Sequence, residues 1–226
     1  MNRYRFDMET KKDSIEKVVK HLQEKAKKNP AVYPATVSDM EQLARVANQL
    51  GIPFEWLVNL INFETAGTFS PKIKNPNSSA TGLIQFMANT ARSLGTTTAE
   101  LKNMTFKAQL VYVAKYLDQN ITRLKDGKVP PNFTQLDLFM CIFYPVAMYK
   151  GKNYTFNLSV QRANPGIKTA GDYFAYAKEK AIFKDTPSTL DKYNEWNTGT
   201  GGNTGMTNGI FYALLAVGLY FFTRKS

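Results

Sequence analysis

A mostly α-helical domain is what this sequence predicts, and three observations predict it. Apolar residues recur at helical spacing, at Phe54, Leu57, Val58 and Ile61 and again at Phe106, Leu110, Val113, Leu117, Ile121 and Leu124. Residues that start and stop helices bracket these stripes, with Pro53 before one and Gly51, Gly67 and Gly127 after others. Residues 134–144 are apolar almost all round, the mark of a helix buried in the middle of a domain, and Pro145 stops it.

Taken in order, residues 13–28 place Ile15, Val18, Val19 and Leu22 on one helical face and Lys17, Lys20, Lys25, Lys27 and Lys28 elsewhere. Such a basic amphipathic helix can lie on a membrane, but a face this narrow favours packing on its own domain. Residues 1–35 therefore read as an N-terminal arm. Ser38-x-x-Glu41 offers a capping box for a helix with Met40, Leu43, Ala44, Ala47 and Leu50 on its apolar face. Pro53–Ala66 gives the next helix. Residues 67–82, rich in Asn, Ser, Gly and Pro, predict a loop or small β element. A helix beginning near Leu83 or Ala88, a short one over Thr97–Met104, the long 106–124 helix, the buried 134–144 helix and one near Tyr173–Ile182 complete a domain over 36–185.

Residues 186–208 turn to Thr, Asn and Gly and read as a flexible linker. Beyond it, residues 209–223 are uncharged and apolar, closed by Arg224 and Lys225. Counted from Met206 or Thr207, the run reaches roughly 17 residues, the short limit for a single membrane span. Phe211 and Tyr212 at one end and Tyr220–Phe222 at the other fit interfacial aromatic belts. The competing reading is a buried C-terminal helix, which a Gly-rich linker disfavours. The first twelve residues lack the apolar core of a signal peptide.

Charge narrows the partner. The 226 residues carry a formal charge of +11, with a pI near 9.6, which points to an anionic partner such as a cell wall, a membrane surface or nucleic acid. Nucleic acid ranks last, because no nucleic-acid-binding motif is present. His21 is the single histidine and Cys141 the single cysteine. Histidine-built metal sites and His-based triads drop out, no internal disulfide can form, and no metal or cofactor is expected. Hydrolytic chemistry is thereby pushed towards carboxylates.

One carboxylate stands apart. Glu64 lies three residues after Ile61 and seven after Leu57, on the apolar side of its helix. A glutamate held among apolar groups costs free energy to ionise, which raises its pKa and suits it to act as a general acid. The plainer alternative is a helix-end glutamate that reaches water.

The residues after Glu64 extend this reading. Glu64-Thr65-Ala66-Gly67-Thr68-Phe69-Ser70-Pro71, then Lys74-Asn75-Pro76, then Thr81-Gly82-Leu83-Ile84-Gln85-Phe86-Met87 resemble the lytic transglycosylase (SLT) family of lysozyme-like muramidases. Thr90–Thr97, Phe143-Tyr144-Pro145-Val146-Ala147, Asn164-Pro165-Gly166-Ile167 and Gly171-Asp172-Tyr173 are similar to its phage and prophage members. The resemblance spans residues 36–180. It implies a lysozyme-like fold and one catalytic glutamate, Glu64. That group would protonate the leaving oxygen of a β-1,4 glycosidic bond, then act as base on the muramic acid C6 hydroxyl, giving a 1,6-anhydro end without water.

The resemblance further implies that Thr65 steadies the helix end, Asn75 orients the N-acetyl group, Gly82 allows close sugar approach, and Gln85 and Met87 line the cleft. Tyr144 matches the family tyrosine whose hydroxyl contacts the glutamate, although Phe-Tyr-Pro-Val-Ala departs from the commoner Ala-Tyr-Asn-Ala-Gly form. Glycosidases mostly use two carboxylates, and Asp118, Asp137 and Asp172 are the distant candidates for a second.

The resulting expectation is a membrane- or virion-associated enzyme that a phage uses to open peptidoglycan. Its glycan strands would be the substrate, and the C-terminal helix would hold it in a virion or host inner membrane. A hydrolytic lysozyme and a membrane-anchored, glycan-binding virion structural protein are the alternatives. Oligomeric state is open.

Overall fold

The computed structural model describes residues 8–121 and 129–197, with side chains from Lys11 to Tyr193. These are mainly helical. The chain runs through α1 (Met8–Lys28), α2 (Val37–Gln49), α3 (Phe54–Glu64), α4 (Ala88–Ser93), α5 (Thr98–Asn103), α6 (Phe106–Ile121), α7 (Gln135–Phe143), α8 (Leu158–Ala163), α9 (Ala170–Glu179) and α10 (Leu190–Asn197). Pairing of β type among the described residues is confined to isolated bridges, two of them in the loop after α3.

Helix α3 is the centre. It packs on α2 and α7, which α6 also joins, and α9 covers α7. Every residue from Phe54 to Asn62 is buried, so α3 is enclosed on all sides rather than amphipathic as its apolar stripe suggested. Its polar residues Glu55, Asn59 and Asn62 fall at i, i+4 and i+7, one face of the helix. Each binds the returning chain. Asn59 exchanges two 3.0 Å hydrogen bonds with the backbone of Phe183. Asn62 Nδ2 donates to Lys180 O at 2.7 Å. Glu55 accepts from Ser14 Oγ at 2.8 Å, Lys11 Nζ at 3.3 Å and Tyr193 Oη at 2.6 Å. Buried polar groups are tolerated when so paired.

Local signals explain most helix ends. Thr97–Glu100, Thr134–Asp137 and Thr169–Asp172 each form a reciprocal capping box. Helix α2 starts earlier than its sequence suggested: Thr36 and Asp39 form the box, not Ser38 and Glu41. The reason is burial. Asp39 is 5% exposed and also receives the Tyr33 hydroxyl at 3.1 Å, whereas Ser38 is exposed and takes Lys107 Nζ at 2.7 Å.

The first and last described segments belong to the core. Ile15, Val18, Val19 and Leu22 of α1 are buried. Residues 186–197, read from sequence as the start of a linker, are folded instead. Trp56 Nε1 donates to Pro187 O at 2.8 Å, Gln135 N to Ser188 O at 2.8 Å, and α10 buries Leu190 and Tyr193. The Thr-Pro-Ser-Thr composition resembles a linker, but its backbone pairs with the start of α7 at Thr134 and Thr189. The rest of the expected linker and the apolar segment 209–223 lie outside the described residues. Among the described residues, no helix is long and apolar enough to cross a membrane.

Candidate active site

Glu64 is the last residue of α3 and is half-buried, where Ile61 one turn earlier is fully buried. A Schellman motif fixes the helix end. Gly67 N donates to Asn62 O at 2.7 Å and Ala66 N to Phe63 O at 3.1 Å, which satisfies carbonyls a helix end leaves unpaired. The left-handed residue is Ala66, at φ 50, with Gly67 following at φ 78. Lys25 Nζ donates to Gly67 O at 3.0 Å, a cation at the negative end of the helix dipole.

Thr65 stiffens the same turn. It is fully buried; its hydroxyl donates to Ile61 O at 2.7 Å and accepts from Phe69 N at 3.0 Å. Those bonds tie the end of α3 to the start of the following loop. Ala66, Phe69 and Gln85 all hold positive φ (50, 52 and 53) without being glycine. Such conformations cost of order 1 kcal/mol each and persist where the surroundings enforce them, often at functional sites. Ala66 is exposed. Ala66→Gly is therefore expected to raise stability by about 0.5–1 kcal/mol, read as a higher denaturation midpoint. An unchanged or lower midpoint would contradict the strain.

The loop after α3 gathers four of the expected residues. Asn75 N donates to Ala80 O at 2.9 Å, and Gly82 N to Ile73 O at 2.8 Å. Asn75 Oδ1 accepts from Asn77 N at 2.8 Å, so its side chain shapes the turn. Bridges Lys74–Thr81 and Thr81–Phe86 tie the loop, Gln85 Nε2 donates to Gly82 O at 3.0 Å, and Met87 precedes α4 without a side-chain cap, its sulfur accepting from Ser79 Oγ at 3.9 Å. Gln85 and Met87 are half-buried, compatible with a cleft wall, while Asn75 is 7% exposed.

Gly82 has a reason of its own within the fold. At φ 81, a Cβ there would come within 2.3 Å of Gln109 Oε1, so Gln109 makes a close approach that requires glycine. Gln109 is fully buried. Its amide accepts from Leu83 N at 2.6 Å and donates to Leu101 O at 2.8 Å and Pro71 O at 3.0 Å. One side chain thus ties two points of the loop after α3, Pro71 and Leu83, to α5 at Leu101. Sequence reasoning passed over it, although Gln109 sits beside Leu110 on the apolar face of α6.

Tyr144 lies in a second group. It ends α7, is half-buried, and its hydroxyl accepts from Asn157 Nδ2 at 3.2 Å. A chain of ring contacts links it to Phe63 beside Glu64. Phe63 meets Tyr173 at 5.5 Å, Tyr173 stacks on Phe143 at 4.0 Å, Phe143 meets Phe156 at 5.4 Å, and Phe156 meets Tyr144 at 5.5 Å.

The other carboxylates considered have structural roles or positions. Asp137 is 3% exposed; one oxygen accepts from Thr134 N and Oγ1 and the other from Tyr149 N at 2.6 Å. Asp172 caps α9, and hydrogen bonds from Thr169 hold its pKa below the usual carboxylate value. Asp118 is exposed on α6. His21 is held below its ordinary pKa by burial and by Lys25, which disfavours its cationic form at neutral pH. Among the described residues, no group of three or more His, Cys, Asp or Glu could hold a metal ion. No protein-family model, curated protein or solved structure matches the chain, which leaves its own residues to carry the functional reading.

Proposed function

We propose that the chain is a lysozyme-like lytic transglycosylase that cleaves peptidoglycan, with Glu64 as its general acid and then its base. The observation that carries this reading is the placement of Glu64. It is a half-buried carboxylate at the rigidly capped end of the central helix, and it leads into a loop whose backbone is strained at Phe69 and Gln85. Proton transfer by a positioned side chain typically contributes about 10²–10⁴-fold, and it demands a group that is fixed yet accessible. Asp137 and Asp172 are committed to capping, which favours a mechanism needing one carboxylate over one needing two. In that mechanism the muramic acid C6 oxygen attacks the anomeric carbon as the glycosidic C–O bond breaks. The proton given to the leaving oxygen is replaced by the one taken from the C6 hydroxyl, so Glu64 ends as it began.

Clearing of purified sacculi by the full chain tests the reading. Falling turbidity is expected, whereas a protein that only binds glycan would leave it constant.

The apolar segment 209–223 belongs to the proposal as a membrane tether, with a virion or host membrane as its site and a role for a phage in opening the wall. Deleting residues 206–226 is expected to release the protein from membranes without loss of sacculus clearing. Loss of its thermal transition on truncation would make the segment part of the fold instead.

A further inference from the structure

From Leu138 to Gly171 the chain has no acidic residue and carries Lys150, Lys152, Arg162 and Lys168, all exposed. Asp172 lies beside Lys168, and the basic stretch accompanies half-buried aromatic rings. Tyr144 and Tyr154 are half-buried, with centroids 6.2 Å apart and planes 35° from parallel. Both rest edge-on against buried Phe156, at 5.5 and 6.0 Å. Lys150 Nζ stands 4.9 Å from the Tyr154 ring centre. Asn157 joins Tyr144 through its amide, and the adjoining Leu158 is 65% exposed.

The frame beneath is rigid. Phe156 N donates to Lys168 O at 2.9 Å, Ala170 N to Tyr154 O at 2.9 Å and Gly171 N to Lys152 O at 2.8 Å. A Cβ on Gly171 would lie 2.9 Å from the Lys152 carbonyl oxygen, so this contact requires glycine.

Tyrosine rings held on a hydrogen-bonded frame, a side-chain amide and the exposed ammonium groups of Lys150 and Lys152 suit one ligand chemistry. The C–H face of a pyranose packs on an aromatic ring, its hydroxyl and acetamido groups bond to tyrosine and asparagine, and carboxylates meet lysine. We propose that Tyr144, Lys150, Lys152, Tyr154 and Asn157 form a platform that anchors carboxylate-bearing glycan strands. This rests on the wall-degrading function and specifies its substrate: strands with free carboxylates over strands whose carboxylates are blocked.

Full-length protein carrying Glu64→Gln separates binding from cleavage. It is sedimented with purified sacculi, with the same sacculi after amidation of their carboxylates, and with anionic phosphatidylglycerol vesicles. Adding Lys150→Glu and Lys152→Glu is expected to weaken binding to native sacculi about fivefold, the scale set by two exposed charge contacts, and to leave binding to amidated sacculi unchanged. Tyr154→Ala is expected to weaken both. If Tyr154→Ala unfolds, the two exposed lysines still decide the matter. Unaltered binding to native sacculi by the lysine variant would overturn the platform, as would an equal loss on amidated sacculi. A loss confined to vesicles would also overturn it, making the surface a membrane contact. Wild-type protein that binds through the lysines yet leaves sacculi intact would uphold the platform and refute the enzyme. Wild-type protein that clears sacculi while the lysine variant binds undiminished would do the reverse.

Discussion

Glu64→Gln is expected to lower sacculus clearing by at least about 10²-fold and to leave the fold in place. Glutamine keeps the shape of glutamate, so the Schellman turn and the Thr65 bonds to Ile61 and Phe69 have no reason to change. What it loses is proton exchange at useful strength. A loss of this size corresponds to about 2.7 kcal/mol of transition-state stabilisation. The thermal transition of the variant serves as the control. Activity within about threefold of wild type, from a folded variant, is below any general acid–base contribution and would remove Glu64 from the mechanism.

Glu55→Ala gives the largest expected loss of stability. The Glu55 side chain is 1% exposed and that of its partner Lys11 10% exposed. Removing the carboxylate takes the counter-charge from the buried Lys11 ammonium, which keeps its contact with Tyr193, and an acceptor from Ser14 and Tyr193. Breaking such a pair typically costs about 3–5 kcal/mol. For a chain of this length that lowers the melting temperature by about 10 °C. Replacing both charges together, Glu55→Leu with Lys11→Met, is expected to recover part of the loss, because a buried charge without its counter-charge is then no longer present. A single Glu55→Ala variant that melts within about 2 °C of wild type would mean that this network contributes little. Since Lys11, Glu55 and Tyr193 lie on α1, α3 and α10, the variant also tests whether α1 and α10 close over the central helix.

What the sequence disclosed follows the range of the interactions. Stripes such as Phe106–Leu110–Val113–Leu117 and stops such as Gly51 and Pro145 are local, and the helices they define are present. The start of α2 was harder. Thr36-x-x-Asp39 and Ser38-x-x-Glu41 both satisfy the same local rule, and the choice depends on Tyr33 reaching Asp39. Helix α10 was hidden by composition, because its anchors are Trp56, Gln135 and Glu55, far away along the chain. At the site, Glu64 and Gln109 gave the same signal, a polar residue on an apolar face. In Glu64 it marks a group at a helix end that is half-exposed; in Gln109 it marks a buried brace. Gly82 was legible as a required glycine, but the neighbour that requires it is Gln109, 27 residues on. No pattern in the sequence distinguishes a sugar from a buried amide.

The central claim is that Glu64 alone carries the proton transfers, and mass spectrometry of the fragments released from purified sacculi tests it most directly. Wild-type protein is expected to release muropeptides ending in 1,6-anhydromuramic acid, lighter by one water than hydrolytic products, and Glu64→Gln to release none. Fragments with reducing muramic acid ends as the dominant product would contradict this account. They would require a second group to position water, and attention would return to Asp118 and Asp172, the two exposed carboxylates among the three distant candidates.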